Sequence, residues 1–164
     1  TFGFNFSLAW KGFDLSANFT GAAGFQIAQS YRDPSSSQAN YSRRILKRWT
    51  GEGTSNEIPR VTYGDVGNWL FSDLYLQDGD YIRLQNLTMG YDFKKLISWK
   101  GLSKMRLYFQ VQNLFTLTKY DGMDPEIGSF NGTDGNSSDA WVSGVDMGYY
   151  PHPRTFIVGL NLAF

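Results

Sequence analysis

The opening segment places Phe2, Phe4, Phe6, Leu8 and Trp10 on every even position and Gly3, Asn5, Ser7 and Ala9 on the odd ones. Successive side chains of a strand point to opposite faces, so a period of two builds a strand with one greasy face; a helix would need a period of about 3.6. After the turn residues Lys11 and Gly12, Phe13, Leu15, Ala17 and Phe19 alternate with Asp14, Ser16, Asn18 and Thr20, and the two segments read as a hairpin. The period continues through Phe25, Ile27 and Gln29, which predicts a second strand over 13–29.

The pattern returns three times. Leu87, Met89, Tyr91 and Phe93 against Asn86, Thr88, Gly90 and Asp92 predict a strand over 81–93. Met105, Leu107, Phe109 and Val111 against Arg106, Tyr108, Gln110 and Gln112 predict another over 104–116, and Phe156, Val158, Leu160, Leu162 and Phe164 a last one over 154–164. Between them lie a short connection, 94–103, and two long loops, 30–80 and 119–153. The first loop carries too many aromatic residues for a floppy tether and is expected to be largely ordered. It holds a helix-like island over 38–49, with Tyr41, Ile45 and Trp49 on one face and the cations Arg43, Arg44, Lys47 and Arg48 around it. The island reads as a solvated loop helix docked by its apolar stripe rather than as a site for lipopolysaccharide phosphates.

Composition narrows the function. Fifteen Lys+Arg against fifteen Asp+Glu give a net charge of zero, so no whole-chain field draws nucleic acid, and none is expected as a partner. With no Cys and a single His, His152, between two prolines and read as a turn residue, the chain lacks the usual parts of a thiol site, a zinc site or a catalytic triad. No enzyme activity and no cofactor are expected. No apolar run is long enough for a spanning helix, since roughly 18 residues are needed, so a membrane would be crossed by strands.

Five antiparallel strands in chain order put the short turns at one end and the long loops at the other. Outer-membrane barrels show that asymmetry, with short periplasmic turns, long extracellular loops and strands that are apolar outside and polar inside. The fold class read here is therefore all-β, an antiparallel transmembrane barrel segment of about five strands with extracellular loops and a periplasmic C-terminus. Five strands cannot close a spanning barrel, because single-chain bacterial examples use about eight or more, so further strands of the same protein are expected as partners. The alternative is a secreted soluble β-sandwich that binds glycans, in which the apolar face would be a core.

Three stretches carry a resemblance: residues 78–91, DGDYIRLQNLTMGY; residues 106–126, with Asn113-Leu114-Phe115, Lys119-Tyr120 and Asp124-Pro125-Glu126; and residues 144–164, from Gly144-Val145-Asp146 through Tyr150-Pro151-His152-Pro153-Arg154 to Phe164. They resemble the C-terminal end of the SusC/RagA-like TonB-dependent outer-membrane transporters of Bacteroidetes. The resemblance implies a barrel of about 22 strands with an N-terminal plug, contact with the TonB complex through that plug, and a SusD-like surface lipoprotein over the extracellular loops. It further implies import of oligosaccharides or peptides, and assembly by the barrel-assembly machinery into outer-membrane lipid.

Candidate site residues follow from residue type and position. Trp49, Tyr120, Trp141, Tyr149 and Tyr150 could stack on cargo or meet the lid lipoprotein, although a packing role competes closely. Asp121, Asp124 and Glu126 lie in an acid-rich second loop with Asp134, Asp139 and Asp146; their spacing fits no calcium loop, and they read as solvated acids or cargo contacts. Phe164, on the apolar parity at the chain end, resembles the terminal aromatic read by the barrel-assembly machinery. Parity places Phe4, Phe6, Leu8, Phe19, Leu87, Met89, Leu107, Phe109, Val158 and Leu160 toward lipid, and Asp14, Asn18, Arg106 and Gln110 toward the lumen.

Overall fold

The computed structural model describes residues 1–30, 43–61, 70–97, 99–127 and 144–164. Its strands are β1 (Phe2–Trp10), β2 (Phe13–Ala22), β3 (Gln26–Gln29), β4 (Leu76–Asp78), β5 (Tyr81–Asp92), β6 (Lys104–Thr118), β7 (Val145–Asp146) and β8 (Thr155–Ala163). They divide between two compact units. The first is a five-stranded sheet in the order β1-β2-β5-β6-β8, antiparallel throughout. Among the described residues no helix is long and apolar enough to cross a membrane.

Alternation and register together give this sheet two chemically different faces. In the ladder, Leu8 faces Leu15, Leu15 faces Met89, Met89 faces Phe109 and Phe109 faces Val158, so one transverse row is wholly apolar. One residue along, Ser7, Ser16, Thr88 and Gln110 form a polar row over the first four strands, which ends on β8 at Ile157. Cross-strand neighbours of like character recur up the sheet because a slip of one residue would exchange the faces.

The hairpin at Lys11-Gly12 is a two-residue turn with φ of 46° and 100°, the left-handed pair required when the turn must match the twist of its strands. Both it and the connection 93–103 lie at the end of the sheet where β8 finishes, since Lys104 pairs with Ala163 and Phe13 with Tyr91. Halfway up β5 the register shifts on both sides. Gln85 has no partner between Asn18 and Phe19, and β6 places Asn113 and Leu114 opposite it, Asn113 with φ of 52°. This bulge lets Leu84 and Ile82, of even number, continue an apolar face that Leu87, Met89 and Tyr91 began with odd numbers.

The second strand is shorter than its alternation predicts. It stops at Ala22, Gly24 turns the chain with φ of +80°, and Gln26–Gln29 become β3 of a separate three-stranded sheet, antiparallel to β4 and parallel to β7. Ile27, fully buried there, kept the strand period for a different core. The helix-like island is also reduced: the described part is a single 3-10 turn, Arg43–Lys47, closed by the Arg48 N–H on the Ile45 carbonyl at 3.1 Å, with residues 38–42 outside the described set.

Candidate functional site

The apolar face of the large sheet is uncovered. Phe2, Phe4, Phe6, Leu8 and Trp10 on β1 and Phe156, Val158, Leu160 and Leu162 on β8 are all exposed, Phe4 by 60% and Val158 by 71%. Met89, Leu107, Phe115 and Leu117 extend the patch across the inner strands. Burying such a side chain is worth about 1.5–3 kcal/mol, so a water-facing sheet would forgo that gain at every position, and continuous patches of this size mark membrane or protein contact. A sandwich core would have these residues buried; here they are the surface.

Aromatic residues gather where this face meets the short-turn end. The Phe13 and Tyr91 rings lie 4.3 Å apart, Phe93 meets Tyr91 edge-on at 4.9 Å, and Trp10, Trp99 and Phe164 are strongly exposed. Rings at this level form the girdles of membrane barrels, where an amphipathic aromatic sits at the headgroup boundary. Phe164 follows β8 directly; the Ser103 N–H donates to the Ala163 carbonyl at 2.7 Å, so the backbone is held to its penultimate residue while the last ring stands free in solvent.

The opposite face is polar and internally bonded. Arg106 on β6 donates from Nε and Nη2 to the two carboxylate oxygens of Asp14 on β2, at 2.8 and 2.5 Å, with β5 lying between them. Gly90 makes that span open: a Cβ there would fall 2.6 Å from Arg106 Nε. Above the pair, Asn18 Nδ2 donates to Asn5 Oδ1 at 2.6 Å, and beyond the bulge Arg83 Nε donates to Thr116 Oγ1 at 2.9 Å. Ala9, Trp10, Asp14, Asp92, Lys104 and Arg106 border a depression of about 400 Å³ at the turn end. Sequence parity set Asp14, Asn18, Arg106 and Gln110 on one face; it gave no sign that Asp14 and Arg106 pair, because the link depends on a third strand and on the glycine in it.

In the second unit, Asp121 donates its N–H to Gln77 Oε1 at 3.0 Å, and Gln77 Nε2 donates to Gln29 Oε1 at 3.2 Å. The carboxylates nearby serve turns. Asp124, buried, accepts the Glu126 N–H at 2.9 Å, and Asp146, fully buried, accepts the N–H groups of Gly148 and Tyr149 at 2.8 and 2.9 Å. Among the described residues no group of three acids or histidines is placed to hold a metal. Trp49 is 38% exposed and donates its backbone N–H to the Ile58 carbonyl at 2.8 Å; Glu126 is exposed and Tyr149 half-buried.

The first unit holds the other two tyrosines. Tyr150 is 82% exposed, whereas Tyr120 is 6% exposed and offers no free ring face, which removes it from the stacking candidates. Trp141, Asp134 and Asp139 lie outside the described residues.

No family model matches the chain. Individual proteins do. It is 36% identical over its whole length to the TonB-dependent receptor P3 of Formosa agariphila, and 30% identical over 99% of its length to the TonB-dependent receptor SusC of Bacteroides thetaiotaomicron. Among solved structures, the RagAB peptide transporter superposes on 99% of the chain with a TM-score of 0.74 at 25% identity. The chain spans 16% of the P3 receptor, 15% of SusC and 17% of the RagAB chain. Full-length similarity to these receptors, on a sheet with a bare apolar face and a bonded polar one, places the chain among the SusC/RagA-like TonB-dependent receptors, outer-membrane β-barrels, as a part of their C-terminal barrel.

Proposed function

We propose that this chain forms wall and loops of an importer that carries oligosaccharides or peptides across the outer membrane together with a SusD-like surface lipoprotein. The single observation that carries the reading is the two-faced sheet. Its exposed apolar side suits acyl chains and its hydrogen-bonded polar side a wet or plugged lumen. The likeness to the RagAB peptide transporter supports peptides as cargo, and together with the likeness to SusC it supports the lipoprotein partner; oligosaccharides enter through the resemblance carried by the sequence motifs.

In this reading the turns at Lys11-Gly12 and 93–103 face the periplasm, and the segments between β2 and β5 and between β6 and β8 face outward. Trp49, Asp121, Glu126, Tyr149 and Tyr150, together with Trp141, are the cargo or lid contacts, whereas Asp124, buried like Tyr120, shapes the turn beneath Glu126. Energy coupling runs through a plug and the TonB complex, which other parts of the protein supply. The test uses the full-length protein with all other cysteines removed. A cysteine at Glu52, exposed in the first long loop, should react with an impermeant thiol reagent on intact cells, and one at Gly12 should react only after the outer membrane is opened. A lipoprotein of the SusD kind should co-purify in detergent. Labelling at Gly12 but not Glu52 would reverse the topology, and recovery of the protein in the soluble fraction without detergent would remove the membrane reading altogether.

A further inference from the structure

The connection between β5 and β6 is a short turn whose composition does not suit one. Turns of this kind favour Gly, Asn, Asp and Ser, yet residues 93–103 read FKKLISWKGLS and leave Leu96 69% and Trp99 61% exposed. The backbone is secured without those side chains. Asp92 Oδ1 accepts the Lys94 N–H at 3.0 Å, the Leu96 and Ile97 N–H groups both reach the Phe93 carbonyl, and Leu102, buried, ties down the far limb. Leu96 and Trp99 are therefore presented to the surroundings rather than used to hold the turn.

Two further features say what the surroundings are. One is continuity: the aromatic run Phe13–Tyr91–Phe93 joins the exposed apolar face to this connection, so a single apolar medium would cover both. The other is charge. Residues 93–104 contain Lys94, Lys95, Lys100 and Lys104 and no acid, and the adjacent Asp92 carboxylate accepts backbone N–H groups from Lys94 and Met105. Lys94 Nζ donates to the Trp99 carbonyl at 2.7 Å, folding the ammonium back toward its tryptophan, and at the neighbouring turn Lys11 Nζ stands 4.9 Å from the Trp10 ring centre. An indole at the acyl boundary with a lysine beside it matches an anionic headgroup, the ring taking the apolar level and the ammonium the phosphate.

We propose that the 93–103 connection, with Trp10 and Lys11 of the first hairpin, is a docking surface for anionic phospholipid, with Lys11, Lys94 and Lys100 on the headgroup phosphates and Leu96 and Trp99 in the acyl boundary. The inference rests on the membrane-wall reading above. It assigns to the turn end a lipid preference, where the wall reading needs only an apolar solvent.

The experiment mixes the purified full-length transporter with equal amounts of phosphatidylglycerol and phosphatidylethanolamine in detergent and counts bound lipids by native mass spectrometry. Phosphatidylglycerol adducts should exceed phosphatidylethanolamine adducts several-fold. Lys94→Gln with Lys100→Gln should bring the ratio toward one, Lys94→Arg with Lys100→Arg should preserve it, and Trp99→Ala should reduce both adducts. Heat-dependent gel mobility confirms that each variant is a folded barrel. Equal binding by the unaltered protein, or a preference that survives the glutamine pair, overturns the proposal. A photo-crosslinking residue at position 99 should label lipid in cells, and a conjugate with a periplasmic protein instead overturns it too. A folded, detergent-dependent barrel without lipid preference would sink this inference alone, whereas failure of the wall reading would show in solubility and in the thiol labelling.

Discussion

Arg106 reaches over a neighbouring strand to grip Asp14 with two hydrogen bonds, passing across the bare backbone of Gly90. Tyr108 flanks the guanidinium, its ring centre 5.1 Å from Cζ, and its own ring lies over Gly159 on the next strand, where a Cβ would collide with it. Two glycines thus act as saddles for two large side chains, Arg106 crossing the ladder diagonally and Tyr108 lying over its direct cross-strand partner. The polar face is tied together over β2, β5, β6 and β8 at one level, which alternation by itself would not require.

Gly90→Ala should weaken the pair by pushing the guanidinium off its seat, while the same change in an Arg106→Ala background should be nearly silent. The side chains are 19% and 35% exposed, so screening limits the effect, and a double-mutant cycle should give a coupling of about 1 kcal/mol. Denaturant unfolding of the full-length barrel in detergent measures it. Full additivity of the two changes would mean the contact carries no free energy.

Much of this wall was legible. The even-numbered run from Phe2 to Trp10 and that from Phe156 to Leu162 state both the strand and its greasy face, because the pleat admits only one reading of a strict alternation. The bulge at Gln85 could be inferred only from the change of parity between Leu84 and Leu87, a signal visible once the face is known. The end of β2 was not legible, since Phe25 and Ile27 keep the period across Gly24 while serving another sheet. Strands as short as Val145–Asp146 carry too few residues for any period to register. The candidate site was less legible still. Tyr120 and Tyr150 are the same residue type on one loop, and whether a ring is buried depends on packing that the local sequence does not encode.

Arginine at Leu107 or Val158 should destabilise the barrel by roughly 2–4 kcal/mol, and arginine at Gln110 by much less. Leu107 and Val158 are exposed on the apolar face, while Gln110 lies on the polar one, within 3.5 Å of Asn86. Folded fraction by heat-dependent gel mobility across a denaturant series would rank the three, and equal losses would contradict the assignment of faces.

Removing Phe164 should lower the amount of transporter in the outer membrane without changing uptake per assembled molecule. The loss of one exposed ring is worth at most about 1.5–3 kcal/mol, which a large barrel tolerates. A severe drop in surface abundance would then reflect recognition of this residue during assembly rather than stability. Unchanged abundance would leave the residue as apolar cladding.

As a membrane wall, the five-stranded sheet meets lipid with one face and not with the other. Nitroxide labels at positions 107, 158, 16 and 110 of the full-length transporter in lipid bilayers test it, by comparing spin relaxation from oxygen, which concentrates among acyl chains, with relaxation from a water-soluble nickel chelate. Positions 107 and 158 should respond to oxygen well above the chelate, and positions 16 and 110 should show the opposite order. Oxygen dominance at 16 and 110, or the same ratio at all four sites, would contradict the two-faced wall.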